Sequence, residues 1–463
     1  MNENIIDERI AKLFDGGSFK KFTPAKSNGF ITGAGLINGR EVMASFIDPV
    51  NQSESLFKGM SDHLDLLEKA LERKTPVILI MDMPAQHKNV DKSPFPKDPI
   101  KLLADKRGVG RSYFLHSKLS GKIPQIAVVL NKLGASLTFM VTLCDAAVMT
   151  PEAGMSVGRP DIVEKMLGRK VDYSELGGPE MHYNVSGSID YLAKNESEAF
   201  EWTRKYLDNM PGAFKKNPSS AEYDENKIKN VIPHNSNFAF DVQEVIKGIV
   251  DSGSFFELRK GFAAELITGF GRVEGRLVGI IANNSCARGG LFFPETCKKS
   301  SRFISICDSF GIPLVFLADD AGFMVGPDVE KAGIIKEGSH LFSAIANSSV
   351  PRLSVVLRRD YTAGVYAMAG PGFDPESFIA LPEAVISIYG KSVAEKLSAE
   401  ERDESFNAAR KEMISGADDT HKLLEMGILD ELVEIENLRS RIFKFLNKVA
   451  DKTVPSSKPV LLV

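Results

Sequence analysis

Two short turns of small residues are the best candidates for chemistry in this chain. Gly134-Ala135-Ser136 follows an apolar run at 125–130, and Thr362-Ala363-Gly364 follows a similar run at 352–357. Each turn leads into a predicted helix, whose first amide N–H groups have no intrahelical acceptor. Two such donors aimed at one oxygen form an oxyanion hole, which stabilises an enolate or a tetrahedral oxyanion. The alternative interpretation is close packing of a helix against a sheet.

Acidic side chains do not accompany these turns in sequence. Residues 134–143 and 361–372 contain no Asp, Glu or His. Asp82 and Asp319, which each end an apolar strand, remain candidate catalytic acids, although the Gly- and Pro-containing loop after Asp319 favours a pocket lining. An enzyme that used these turns for proton transfer would therefore take its base from the substrate or a cofactor.

A basic cluster is a second candidate site. Its members are Lys101, Lys106, Arg107 and Arg111, with Gly108 and Gly110 between the charges. Glycines between basic residues suit a loop that wraps an anion such as a phosphate. The alternative interpretation is a solvated surface. The four cysteines lack a Cys-x-x-Cys pair, and the seven histidines are scattered, so we expect reduced, packed thiols and no bound metal.

An internal repeat shows which elements position the two turns. Residues 10–46 and 246–282 are identical at 12 of 37 positions at a constant offset of 236. The matches include Asp-x-Gly-Ser-Phe at 15–19 and 251–255, and Ile-Thr-Gly-x-Gly at 31–35 and 267–271. A fixed offset over this length indicates a duplicated domain.

Each copy predicts the same order of elements. A strand, a tight hairpin turn and a second strand are followed by a helix, at 61–74 in the first copy and 294–310 in the second. Short apolar strands at 76–82 and 313–319 come next, and the runs that precede the two turns follow them. Alternation of strands and helices predicts an α/β fold. The Pro- and Asn-rich segment 210–236 predicts a linker, so we expect domains at 1–236 and 237–463.

Composition excludes some functions. The 463 residues carry a net charge of −4, which gives no general attraction to nucleic acid. No run of apolar residues is long enough to cross a bilayer. The first residues are acidic, whereas secretory and mitochondrial leaders are basic, and we therefore expect a cytoplasmic protein.

Taken together, these motifs resemble the carboxyltransferase subunits of biotin-dependent acyl-CoA carboxylases, which contain two crotonase-like domains. The most specific segments are 175–192, 238–283 and 302–368. Within the family, 106–130 and the Ala363-Gly364 pair are most similar to the 3-methylcrotonyl-CoA carboxylase and glutaconyl-CoA decarboxylase branch. The chain departs from the family at Gly134-Ala135-Ser136, where Ala-Gly-Gly is common, and at 83–86, where Ser-Gly-Gly-Ala is usual.

The resemblance implies a mechanism and site residues. The N-terminal domain would bind acyl-CoA and the C-terminal domain of a neighbouring subunit would receive biotin. The amides of Ala363 and Gly364 would hold the biotin ureido oxygen, and those of Ala135 and Ser136 the thioester oxygen of the enolate. We also assign substrate binding to a further set: Gly134, Lys106, Arg107, Gly108, Gly110, Tyr361, Gly333 and Ile334.

The same resemblance implies partners. Biotin would arrive on a separate carrier protein, because the chain contains no Ala-Met-Lys-Met motif. Active sites would form between subunits of a homodimer or of a hexamer built from dimers. Two alternatives within the family stay open, namely a decarboxylase subunit with membrane partners and a non-catalytic partner subunit that keeps the fold. A third alternative, a crotonase-type hydratase or isomerase, would need a glutamate beside one of the turns. Residues 134–143 and 361–372 contain none.

Overall fold

The computed structural model describes residues 4–22, 29–49, 56–83, 104–134, 136–211, 228–235, 238–388 and 420–462. The chain forms two compact units. Unit 1 comprises Met1–Lys215 and Ser457–Leu462, and unit 2 comprises Lys216–Ser456 and Val463. No described helix is both long and apolar enough to span a membrane.

Unit 1 is a twisted sheet with helices packed on it. Its strands are β1 (Lys20–Lys21), β2 (Phe30–Ile37), β3 (Arg40–Ile47), β4 (Val77–Met81), β5 (Gln125–Val129), β6 (Lys132–Gly134), β7 (Ala146–Met149), β8 (Gly154–Ser156) and β9 (Tyr191–Leu192). Its helices are α1 (Ile5–Leu13), α2 (Leu56–Arg73), α3 (Val109–Leu119), α4 (Ser136–Thr142), α5 (Pro160–Leu167), α6 (Tyr173–Gly177), α7 (Pro179–Asn184) and α8 (Glu196–Asp208).

The sheet of unit 1 has the order β1-β2-β3-β4-β5-β7-β9. β1, β2 and β3 pair antiparallel, and the remaining pairs are parallel. Every residue of β4 and β5 is buried, as their continuous apolar runs require of central parallel strands. β6 and β8 form a separate parallel pair that carries the first turn.

Unit 2 repeats this plan. Its strands are β10 (Phe256–Leu258), β11 (Leu266–Val273), β12 (Arg276–Asn283), β13 (Leu314–Asp320), β14 (Arg352–Tyr361), β15 (Ser377–Ala380), β16 (Val385–Ser387) and β17 (Glu431–Leu432). Its helices are α9 (Val242–Ile249), α10 (Pro294–Phe310), α11 (Pro327–Lys331), α12 (Ile334–Asn347), α13 (Gly364–Ala367), α14 (Thr420–Glu425) and α15 (Leu438–Lys448), with 3₁₀ turns at Arg288–Gly290, Pro371–Phe373, Ile435–Asn437 and Ala450–Lys452. The order is β10-β11-β12-β13-β14-β15-β17, and β16 pairs with the end of β14.

A repeated aspartate explains the repeated sequence motif. Asp15 accepts hydrogen bonds from the amides of Asn38 (3.2 Å) and Gly39 (2.8 Å), the two residues of the first hairpin turn. Arg204 donates to the same carboxylate at 3.0 Å. Both turn residues have positive φ, as a type I′ turn needs, and so the carboxylate stabilises the turn that sets the β2–β3 register.

Unit 2 contains the same arrangement in equivalent residues. Asp251 accepts from the amides of Glu274 at 2.9 Å and Gly275 at 2.8 Å, and from Arg439 at 2.8 Å. Both arginines also donate to the last carbonyl of a helix, Leu13 in unit 1 and Ile249 in unit 2. The predicted duplication and the α/β fold class are therefore confirmed. The predicted boundary at 236 falls outside the described residues and stays a prediction.

Candidate active site

The second turn lies where β14 ends. Thr362 has φ +53, its amide donates to the Ser387 carbonyl at 3.0 Å, and α13 begins two residues later. Among the described residues, no acceptor is found for the amides of Ala363 and Gly364. A strand end, a left-handed residue and a short helix thus leave two consecutive N–H donors available for a ligand oxygen.

Close approaches explain two glycines around this turn. A Cβ on Gly322 would lie 2.8 Å from Oγ1 of Thr362, and Gly322 itself has φ +97. A Cβ on Gly364 would overlap Oδ2 of Asp320 and would lie 3.2 Å from Oδ1 of Asp360. Glycine at 364 is therefore required by the two carboxyl groups beneath the turn.

Neither strand-end acid proposed from the sequence is available as a base. Asp319 is fully buried and accepts two hydrogen bonds from Arg358, at 3.0 and 2.8 Å. Asp82 in unit 1 forms an ion pair with the buried guanidinium of Arg9 at 2.8 Å. Each acid is thus held by an arginine in an ion pair.

Asp320 and Asp360 are site residues that sequence reasoning missed. They lie opposite each other on β13 and β14, and neither is exposed. Burial, followed by the charge of Asp360, raises the pKa of Asp320 well above its ordinary value. Burial and the charge of Asp319 raise the pKa of Asp360 in the same direction. The signal in the sequence is an acid at the end of each neighbouring strand.

Aromatic side chains stand beside the turn. Tyr366, in α13, is 52% exposed and makes an edge contact with Phe342 of α12 at 6.3 Å between ring centroids. Gly333 caps the start of α12 with φ +86, and Ile334 is buried as its first residue. Tyr361 is the last residue of β14 and half-buried. The assignment of Gly333, Ile334 and Tyr361 to substrate binding stays a prediction.

The first turn differs from the second in its register. Gly134 pairs with Ser156, whereas in unit 2 Ser387 pairs with Tyr361. By this pairing Gly134 corresponds to Tyr361, whereas α4 begins at Ser136 and α13 begins at Gly364, so the segment between strand and helix is one residue shorter in unit 1. The Ser136 carbonyl accepts a 2.6 Å hydrogen bond from the Tyr113 hydroxyl. Ala135 lies outside the described residues.

The basic segment is not the loop that the sequence suggested. Gly108 caps α3 and Gly110 lies inside it, so these glycines begin a helix. Arg107 forms a 2.5 Å ion pair with Asp65 of α2, and Arg111 pairs with Glu68 at 3.2 Å. Two of the cations are thus partly neutralised by acidic side chains of α2. Lys106 is exposed, and Lys101 lies outside the described residues.

Cysteine burial partly matches expectation. Cys144, Cys297 and Cys307 are buried, whereas Cys286 is exposed. Burial, with the charges of Glu337 and Asp320, raises the pKa of the Cys297 thiol, so this cysteine stays protonated and unreactive.

Two crotonase-like α/β units, each carrying a turn of small residues at a strand end, define the class of a carboxyltransferase. The carboxyl transferase domain model matches residues 1–459, and the chain belongs to that family. The match covers both units apart from the last four residues of the chain.

Known proteins of the family are similar along the whole chain. An uncharacterized carboxylase of Bacillus subtilis, YngE, is 35% identical over 96% of this chain and 90% of its own. The biotin-dependent 3-methylcrotonyl-coenzyme A carboxylase beta1 subunit of Mycobacterium tuberculosis is 32% identical, over 87% of this chain and 77% of its own. A crystal structure of the transcarboxylase 12S hexamer with methylmalonyl-coenzyme A bound superposes with a TM-score of 0.86, at 28% identity, covering 98% of this chain and 91% of that one.

Proposed function

We propose that this chain transfers a carboxyl group between carboxybiotin, carried on a separate protein, and an acyl-CoA. The observation that carries the proposal is the second turn. Within the described residues the amides of Ala363 and Gly364 have no acceptor, and the strand-end acid beside the turn, Asp319, is held by Arg358. Oxyanion donors beside an acid that is held in an ion pair suit a reaction whose base comes with the reactant.

The donors present fit biotin. Its ureido oxygen is a strong acceptor, and two backbone amides are the donor set that would hold it as negative charge develops. Carboxybiotin supplies the carboxyl group and, after its release, the base that takes a proton from the acyl-CoA. The chain's own part is to bind and orient: the amides of Ala363 and Gly364 would hold the ureido oxygen.

The acyl-CoA would bind in unit 1. The amides of Ala135 and Ser136 would hold the thioester oxygen of the enolate, and the Tyr113 hydroxyl fixes the Ser136 carbonyl from below the turn. Lys106 is an exposed cation of the basic segment and would contact a CoA phosphate. Arg107 would need to leave its ion pair with Asp65 to do the same.

The proposed assembly and substrate are based on those named for similar proteins. The similar structure is a hexamer with methylmalonyl-coenzyme A bound, and another relative is named for 3-methylcrotonyl-coenzyme A. We propose a cytoplasmic homodimer or a hexamer built from three dimers, with a branched or short acyl-CoA, in which the halves 1–236 and 237–463 serve acyl-CoA and biotin respectively. Carboxylation and decarboxylation share this half-reaction, so partner proteins decide the direction.

A substrate panel tests the proposal. The purified oligomer is incubated with free biotin and malonyl-, methylmalonyl-, glutaconyl- or 3-methylglutaconyl-CoA, and loss of the carboxyl group is followed by thioester mass. Turnover of one thioester supports the transferase and identifies the substrate. Absence of turnover from a folded oligomer, also with a biotinylated carrier domain, supports the non-catalytic subunit instead.

A further inference from the structure

Two buried carboxyl groups lie directly beneath the second turn. Asp320 and Asp360 are paired across the parallel strands β13 and β14, and both are fully buried. Oδ1 of Asp320 accepts a 2.7 Å hydrogen bond from the Gly322 amide. Within the described part of the chain, Oδ2 of Asp320 and both oxygens of Asp360 have no hydrogen-bond partner. Unpartnered buried oxygens are costly, and most costly when ionised.

The nearby arginines, Arg358 and Arg359, form ion pairs with a different acid, Asp319. Arg358 donates twice to Asp319, and Arg359 lies 3.2 Å from the same carboxylate while it also donates to the Gly289 carbonyl at 3.1 Å. None of the described cations lies within ion-pair distance of Asp320 or Asp360.

The charges that act on the pair are mainly acidic. Burial raises the pKa of Asp320 most, the charges of Asp360 and Asp319 add to this, and the Gly322 amide and the charge of Arg359 lower it. Two ionised carboxylates would therefore repel each other with only the Gly322 amide and Arg359, which also pairs with Asp319, to offset the repulsion. At least one of the two therefore carries a proton at neutral pH.

The pair touches the residue that offers the free amide. The position that a Cβ on Gly364 would take lies 2.7 Å from Cγ of Asp320 and 3.2 Å from Oδ1 of Asp360. A charge at this distance, in a region from which water is excluded, acts strongly on the peptide groups of the turn. When the pair is neutral or carries one charge, the amides of the turn can stabilise a negative charge on a bound oxygen. When both carboxyl groups are ionised, their charges weaken that stabilisation.

We propose that Asp320 and Asp360 are positioning residues that keep a shared proton beneath Gly364, and that loss of this proton sets the alkaline limit of carboxyl transfer. The inference rests on the proposed function, because it concerns the oxyanion donors of that site. Neither side chain touches the substrate. Their effect passes through the turn that they support.

Asparagine variants test this inference with little change in side-chain shape. Asp320→Asn and Asp360→Asn each leave a single carboxyl group beneath the turn, so two negative charges can no longer form there. We expect the alkaline decline of biotin-dependent transfer, measured relative to each variant's own rate at neutral pH, to disappear or to move up by about one pH unit or more. Asp451→Asn, which removes an exposed carboxylate elsewhere in unit 2, should keep the wild-type pH profile.

Infrared spectroscopy gives a readout that does not need turnover. A protonated carboxylic acid has a carbonyl stretching band distinct from that of a carboxylate. We expect this band in the wild type at neutral pH, with loss at alkaline pH, and its absence in the Asp320→Asn/Asp360→Asn double variant. No band in the wild type, or an unchanged band in the double variant, would overturn the inference.

Different results would refute the shared proton and the proposed carboxyl transfer. An active wild type whose alkaline decline is the same in both single variants would refute the shared proton and leave the transferase intact. Absence of turnover with every thioester at every pH, with the infrared band present, would refute the proposed function and with it the alkaline limit.

Discussion

Arg358 and Asp319 form a two-point ion pair across neighbouring parallel strands, with Nε donating to Oδ1 at 3.0 Å and Nη2 to Oδ2 at 2.8 Å. Both side chains are buried, and Arg358 also donates to the Phe238 carbonyl at 2.5 Å and lies over the ring of Phe240. The strand-end acid is thereby held in an ion pair, and the proposed donors of the site are the backbone amides of Ala363 and Gly364.

Loss of this ion pair should destabilise unit 2. Arg358→Met keeps most of the side-chain volume but leaves the buried Asp319 with Arg359 as its one described ion-pair partner, and we expect unfolding to be easier by about 3 kcal/mol. Urea unfolding followed by circular dichroism measures the change. Arg159→Met removes an exposed pair with Asp161 and should leave stability unchanged. Equal stability of both variants would contradict the role given to Arg358.

A methyl group at 364 should disturb the second turn. Gly364→Ala places its Cβ against Oδ2 of Asp320, so the turn must shift, and we expect carboxyl transfer to fall by about 10- to 100-fold. Gly372→Ala is the matched control, because its Cβ would meet no atom within 4 Å. Initial rates with free biotin compare the two. A fully active Gly364→Ala variant would mean that this turn does not hold the oxyanion.

Tyr113 should matter for the acyl-CoA side. Tyr113→Phe removes the 2.6 Å hydrogen bond to the Ser136 carbonyl, which is worth about 1 kcal/mol. We expect kcat/KM for the thioester to fall several-fold, while the dependence on biotin concentration stays unchanged. Tyr191→Phe, which removes a 2.9 Å bond to Glu198 in the same unit, should have no kinetic effect. A matching loss in both variants would point to general destabilisation.

A buried histidine pair should make unit 1 sensitive to acid. Nδ1 of His116 lies 2.7 Å from Oε1 of Gln125, and the ring of His63 lies 5.6 Å from that of His116. Burial lowers the pKa of His116 to about 4, and burial with the neighbouring His116 lowers the pKa of His63. The folded state favours the neutral rings, so the contribution of each histidine to the free energy of unfolding is fully present above about pH 6.5. Below that pH the free energy of unfolding falls by about 1.4 kcal/mol per pH unit for each histidine.

The pH slope of stability measures this effect. His116→Gln should reduce the acid slope of the unfolding free energy by about half, because one titrating ring remains. His421→Gln, at an exposed position in unit 2, should leave the slope unchanged. An acid slope that is identical in His116→Gln and wild type would show that the pair is not neutral in the folded protein.

Local patterns predicted most of the fold. The hairpin Asn38-Gly39 and the apolar run Val77–Met81 are where the sequence placed them, because turn chemistry and strand burial depend on neighbouring residues. Helix Pro294–Phe310 has the predicted bounds, since a proline begins it and a left-handed Gly311 ends it. The repeat then extended each assignment to the second copy.

The remaining features depend on register between distant strands. Asp320 meets Asp360 only because β13 and β14 pair in parallel, and no local pattern encodes that alignment. The one-residue difference in length between the two turns becomes visible only in the pairing of β6 with β8 and of β14 with β16. Gly110 was misassigned to a loop because glycine is a weak helix former, whereas packing of α3 against α2 favours the helix.

The most direct test of the account is the biotin dependence of carboxyl loss from one active thioester. Methylmalonyl-CoA, or the best member of the panel, is incubated with the wild-type oligomer with and without free biotin. We expect decarboxylation that saturates with biotin and is absent without it, because in this direction the ureido group donates the proton that the enolate takes up and accepts the carboxyl group. Equal rates with and without biotin would contradict the central claim.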